Sequence, residues 1–222
     1  MILFKDRHEA GRILAQHLAE YKDRPDVLVL GLPRGGVPVA YEVSKALHVP
    51  MDILVVRKVG VPGFRELAMG AVASNNTLIL DRTLIQELGI TPDAVTSAVN
   101  KAKDELDHQE TQYRQGRNPP EIRGKTIILI DDGLATGSSM RAAIEAVRAK
   151  NAATIVVAVP LSAKQTFDAL RETADRIVCA ETPEPFEAVG LWYENFGPTS
   201  DEEIHKLLNL SPAPLLGKER GS

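Results

Sequence analysis

Short, continuous apolar runs alternate along this chain with longer stretches in which apolar residues recur every three or four positions. The runs at 27–30, 52–56, 126–130, 154–159 and 176–180 lack the in-out alternation of a half-solvated strand, so they predict strands buried on both faces. Segments 6–21 (with Ile13, Leu14 and Leu18 at helical spacing), 39–47, 140–150 and 162–173 predict helices between them. Thr91-Pro92 gives a hydroxyl cap and a first-turn proline to a long polar helix that ends near Gln115, before Gly116. Val95, Val99, Ala102, Leu106 and Tyr113 form its inward side, and Lys101, Asp104, Asp107, Glu110 and Arg114 belong to its solvated one. Segments 67–73 and 78–80, split by Ser74-Asn75-Asn76-Thr77, predict a hairpin. The alternation as a whole predicts an α/β fold, a doubly wound parallel sheet with its ligand at the carboxyl ends of the strands.

The run at 126–130 ends in Asp131-Asp132, followed by Gly133-Leu134-Ala135-Thr136-Gly137-Ser138-Ser139. The small residues open a helix, whose unpaired N–H groups and positive dipole end suit an anion, most naturally a phosphate. Two adjacent carboxylates repel a phosphate, so Asp131 and Asp132 are assigned to what is attached to it: a vicinal diol, or a metal-bound water. A diol beside a phosphate describes a ribose 5-phosphate.

Two other strand ends carry chemistry of the same kind. The run at 27–30 leads into Gly31-Leu32-Pro33-Arg34-Gly35-Gly36, where the glycines permit positive φ and Arg34 offers a planar fork of donors. The run at 52–56 leads into Arg57-Lys58, two cations suited to neutralising a leaving anion, and then into a Gly- and Pro-punctuated segment, 59–67, expected to close as a lid. Each also has an ordinary structural reading, a Gly-Gly turn and a solvated cationic strand end. The Asp131 motif gives them weight.

The order of apolar strand, two acids, short spacer and Thr-Gly-x-Ser resembles the binding site for phosphoribosyl pyrophosphate (PRPP) in the type I phosphoribosyltransferases, and the match is complete. The Pro-Arg-Gly-Gly loop, the Arg-Lys…Glu-Leu-Ala-Met-Gly-Ala stretch and the aromatic run before Thr199-Ser200-Asp201 are similar to a largely uncharacterised bacterial branch of that family. The resemblance implies the type I phosphoribosyltransferase fold over 1–210, with a small hood subdomain near 57–80 and 183–200. It assigns Asp131 and Asp132 to the ribose hydroxyls and to Mg²⁺, directly or through water. Residues Ala135, Thr136, Gly137, Ser138 and Ser139 would wrap the 5-phosphate, and Gly35 and Gly36, with Arg34, Arg57 and Lys58, would receive pyrophosphate. The implied activity is Mg²⁺-dependent transfer of phosphoribosyl from PRPP to a small-molecule acceptor, in a homodimer.

Family members acting on 6-oxopurines usually have an acid where this chain has Ala135, so that acceptor class is weakened and Glu66 becomes the residue to test as general base. The aromatics of 183–196 have two readings, stacking on a planar acceptor or forming a hydrophobic clasp. Two other functions fit part of the pattern: a non-catalytic PRPP or nucleotide sensor, and a pyrophosphokinase, for which the chain shows no second nucleotide motif.

Composition narrows the partners. A chain of 222 residues with 44% hydrophobic content buries one substantial core, and a net charge of −4 argues against nucleic acid. Cys179 is the single cysteine and sits in an apolar run, as a core thiol would; no disulfide within the chain is possible, which suits a reducing cytoplasm. Polar Asp6, Arg7, His8 and Glu9 stand where a signal peptide has its apolar core, and no run is long enough to span a bilayer. The five histidines have no metal-site spacing, and 211–222 reads as a mobile tail.

Overall fold

The structure, a computed structural model, describes residues 2–74 and 77–211, with the side chains of Arg65 and Glu66 excepted. The tail expected at 211–222 therefore lies, past Ser211, outside the described residues, as does the side chain of Glu66.

Five parallel strands form the central sheet in the order β2-β1-β6-β7-β8: β1 is Val27–Gly31, β2 Met51–Ile53, β6 Thr126–Ile130, β7 Thr154–Leu161 and β8 Arg176–Glu181. Every residue of β1 and β6 is buried, as their unbroken apolar runs require. Alternate side chains of β6 feed opposite layers. Ile128 and Ile130 join the cluster formed with helices α1 (Arg7–Gln16), α2 (Gly36–Leu47), α4 (Pro92–Arg114) and α7 (Asp201–Leu210), through Leu14, Val39, Leu106 and Leu207. Ile127 and Leu129 join the cluster formed with α5 (Ser138–Ala149) and α6 (Lys164–Leu170), through Met140, Ile144 and Leu170.

This double winding makes the junction of β1 and β6 a topological switch point. Gly31 pairs with Ile130, so the loops that follow the two strands leave the sheet side by side.

A second, antiparallel sheet, β3 (Val56–Val61), β4 (Phe64–Ala73) and β5 (Thr77–Leu80), forms the hood. Here the structure corrects the sequence reading. The strand expected at 52–56 stops at Ile53, and Arg57 and Lys58 lie inside β3, paired with Val72 and Ala71. The expected lid at 59–67 is mostly a hairpin turning at Pro62-Gly63, where Gly63 takes φ +83°. Val56, Val59 and Val61 supply the β-branched content, and Gly60 pairs with Ala68 between two register shifts whose extra residues lie on β4.

The first helix is shorter than 6–21, ending at Gln16 ahead of a 3₁₀ turn, Ala19–Tyr21. Two helices were not anticipated: α3 (Arg82–Glu87), capped by Asp81, and α7, capped by Ser200 accepting from Glu203 N at 3.1 Å. Arg114, expected on the solvated side of α4, is buried; it donates to Asp52 Oδ1 at 2.8 Å and to Ile53 O at 3.1 Å, tying α4 to the end of β2. Among the described residues no helix is long and apolar enough to cross a membrane.

Candidate functional site

The turn between β6 and α5 is held at Leu134 and through the carbonyl groups of Ala135 and Thr136. Leu134 N donates to Leu161 O at 3.0 Å and Ala163 N to Leu134 O at 2.8 Å, which fastens the turn to β7. Thr166 Oγ1 donates to Ala135 O at 2.5 Å, and Arg141 Nη2 to Thr136 O at 2.9 Å. Gly137 precedes α5 with φ +68°, a left-handed conformation that a Cβ would strain, and no side chain caps the helix. The first amides of α5 have no intrahelical acceptor, so the turn presents donors and a positive dipole end to whatever occupies it.

Asp131 and Asp132 stand at the mouth of this turn. Asp132 N donates to Asp131 Oδ1 at 2.9 Å, Tyr193 Oη donates to Asp132 O at 2.6 Å, and Arg7 Nε donates to Asp132 Oδ2 at 2.8 Å. Burial and the neighbouring Asp132 charge push the Asp131 carboxyl well above the usual range. Burial raises Asp132 as well, against the pull of the Arg7 guanidinium. Two acids in so dry a place are costly to ionise, the mark of a site built to receive donors or a cation.

The loop after β1 packs directly on this pair, and the reason for its glycines is not the one the sequence suggested. Gly35 has φ −64° and Gly36 is the first residue of α2, so neither uses positive φ. They are needed for close approach: a Cβ on Gly35 would collide with the Asp132 carboxylate, and one on Gly36 would lie 2.6 Å from Ile130 O and 2.9 Å from Asp131 Cα. The Pro33–Arg34 peptide is cis. Arg34 Nη2 lies 3.3 Å from Asp201 Oδ1, at the start of α7.

The hood brings Lys58 to the α5 side of the site. It shares a cleft of about 610 Å³ with Ser138, Arg141 and Glu145 of α5 and with Leu67 and Ile79 of the hood. The Nε of Arg57 is buried with no hydrogen-bond partner among the described residues. A second cleft, of about 650 Å³, opens beside Ala135 and is lined by Lys164, Thr166, Glu184, Pro185 and Phe186. Tyr193, in contrast, is buried between Phe4 and Phe196, with ring centroids 5.4 and 5.0 Å away, and the amides of Leu3 and Phe4 donate to Trp192 O. For this part of the aromatic segment the geometry is that of a clasp on the amino-terminal strand of chain.

The structure thus brings Gly35, Gly36, Asp131 and Asp132 together at the carboxyl ends of β1 and β6, with Ala135, Thr136, Gly137, Ser138 and Ser139 beside them. Sequence reasoning missed Arg7, Tyr193, Arg141 and Thr166. Arg7 and Asp132 are 125 positions apart, and no local pattern signals such a pairing. Among the described residues no group of three or more His, Cys, Asp or Glu side chains is placed to hold a metal ion.

Cys179 is half-buried, its thiol donating to Glu181 O at 3.0 Å, and desolvation pushes it up to about 12. Alkylation by iodoacetamide at pH 8 should therefore run more than about a hundredfold slower in the folded protein than in denaturant. A native rate near the denatured one would show that the thiol is neither shielded nor raised.

Comparison with known proteins gives this geometry a context. The Phosphoribosyl transferase domain family matches residues 5–194. A Mycobacterium tuberculosis protein provisionally named a phosphoribosyl transferase is 42% identical over 209 residues, which are 94% of this chain and 47% of that protein. The chain thus spans about half the length of the curated relatives it matches. A crystal structure of a Thermus thermophilus protein superposes with a TM-score of 0.84 at 36% identity, covering 93% of this chain and 98% of that one. The uracil phosphoribosyltransferase of Corynebacterium diphtheriae is 34% identical over 86 residues, 39% of this chain and 40% of that enzyme.

Proposed function

Since the chain belongs to the phosphoribosyl transferase domain family, we propose that it transfers a phosphoribosyl group from PRPP to a nucleobase-class acceptor, with pyrophosphate leaving. The observation that carries this reading is the junction of an acid pair and an uncapped helix start at one switch point, with two glycines of the neighbouring loop packed against the acids.

In this reading Asp131 and Asp132 accept hydrogen bonds from the ribose 2- and 3-hydroxyls, and the amides of Thr136 to Ser139 hold the 5-phosphate. Arg34, Arg57 and Lys58 meet the pyrophosphate, whose negative charge grows as the glycosidic bond loosens, so their contribution is largest in the transition state. Arg34 leaves its contact with Asp201 to do so. The acceptor occupies the cleft beside Ala135, with Phe186 along one wall and Lys164 and Glu184 as polar ends. Alanine at 135 offers no proton acceptor, and Glu66 of the hood is the residue assigned to that role.

Mg²⁺ fits the site's donors. Two carboxylates are hard oxygen ligands, and this ion is usually held by one or two such groups together with substrate oxygens. Asp131 and Asp132 would hold it, and when bound it neutralises charge on the pyrophosphate. We further assign the protein to the cytoplasm, as a homodimer.

The test is pyrophosphate release from PRPP with Mg²⁺ across purine and pyrimidine bases, run beside a base-free control and a calorimetric PRPP titration. Base-dependent release is expected and names the acceptor class. Tight PRPP binding with no release on any base would replace transfer with sensing, and no PRPP binding would overturn both.

A further inference from the structure

Arg7 is the first residue of α1, the positive end of the helix, where a cation is disfavoured. The cap of α1 is supplied by Asp6, which accepts from Glu9 N at 2.8 Å, so the helix has no use for the arginine. Its side chain is nevertheless only 12% exposed. Nε donates to Asp132 Oδ2 at 2.8 Å, Nη1 donates to Gly197 O at 2.7 Å, and the guanidinium lies 3.9 Å from the centre of the Phe196 ring. One rigid fork therefore joins the amino-terminal helix, the end of the central strand and the segment that follows the aromatic clasp.

We infer that Arg7 is a positioning residue for the acid pair, a role that rests on the PRPP-binding reading above. With Oδ2 taken by Arg7, the backbone carbonyl by Tyr193 and the amide by Asp131, Asp132 is fixed at three points, and Oδ1 is the carboxylate oxygen that no cation among the described residues claims. Nε and Nη1 are arms of one planar group, so anchoring Nη1 on Gly197 O aims the Nε–H at Oδ2, which an ammonium group on a flexible stem does not do. The pair is not explained by stability alone, because a desolvated ion pair gains little over apolar packing. Arg7 itself touches no substrate atom in this assignment; it acts through Asp132.

A double-mutant cycle on PRPP affinity separates that role from a general structural one. Calorimetric titrations would compare the unmodified protein, Arg7→Ala, Asp132→Asn and the double variant, with thermal melts confirming that each is folded. Arg7→Ala and Asp132→Asn are each expected to bind PRPP about tenfold to a hundredfold more weakly, and the double variant no more than about threefold more weakly than Asp132→Asn alone. Arg7→Lys should recover only part of the loss. If Arg7→Ala does not melt cooperatively, Arg7→Gln takes its place in the cycle. Unchanged or tighter binding by the Arg7 variant, or losses that simply multiply in the double variant, would overturn the assignment. Absence of PRPP binding by the unmodified protein would instead defeat the reading on which the assignment rests, and the role of Arg7 with it.

Discussion

Asp131→Asn is expected to weaken PRPP binding by about tenfold to a hundredfold while making the protein harder to melt. The loss follows from the exchange of a charged acceptor for a neutral amide, since hydrogen bonds to a charged group contribute about 1.5–3 kcal/mol each. The gain follows from the cost of holding a buried charge beside a second carboxylate. Burial, then the neighbouring Asp132 charge, raises the Asp131 carboxyl in the folded protein above its unfolded value. Folding therefore favours the protonated form. The group's contribution to stability is full below the unfolded-state value, near pH 4, and is lost as pH rises through the raised folded-state value. Asparagine resembles the protonated acid at every pH, and its amide oxygen can still accept from Asp132 N. The variant should melt about 2–4 °C higher at pH 7, with the advantage shrinking as the pH approaches 4. Thermal melts at the two pH values and a PRPP titration check this. A lower melting temperature at pH 7 would show that the ionised pair is compensated within the protein.

The two glycines of the first loop should respond to alanine in opposite ways. On Gly36 the new methyl meets Ile130 O and Asp131 Cα, backbone atoms of the central strand and its exit that cannot move without displacing the sheet. Forced overpacking of this kind costs about 1–3 kcal/mol, and Gly36→Ala should melt about 2–12 °C lower. On Gly35 the nearest atoms to the methyl are those of the Asp132 carboxylate, which can swing aside at the expense of its bond to Arg7. Gly35→Ala should therefore keep most of its stability and lose PRPP affinity, by about tenfold or more. Equal melting temperatures for the two variants would show that the strand end yields as easily as the side chain, contrary to this account.

Much of the sheet was legible because its signals are local. The unbroken apolar runs of β1 and β6 stand for burial on both faces, and Thr91-Pro92 before a long periodic stretch ending at Gly116 stands for α4 almost to the residue. The turn from Asp131 to Ser139 was legible for the same reason: strand, acids, small residues and helix start lie within one short stretch, so chemistry and geometry are written together. Segments governed by pairing were read less well. Arg57 and Lys58 looked like a strand end because nothing in their neighbourhood announces that Val72 and Ala71 lie opposite, and a Gly- and Pro-containing hairpin looked like an open lid.

By itself, then, the sequence determined the strands of the parallel sheet and the turn from Asp131 to Ser139, since each depends on residues within a few positions of one another. Only the tertiary structure decided why positions 35 and 36 must be glycine, that Arg34 rests against Asp201, and that Arg7 and Tyr193 converge on Asp132. Those contacts join residues far apart along the chain, where the physical requirement is a shared volume or a compensated charge, and neither leaves a periodicity that can be read before the chain is folded.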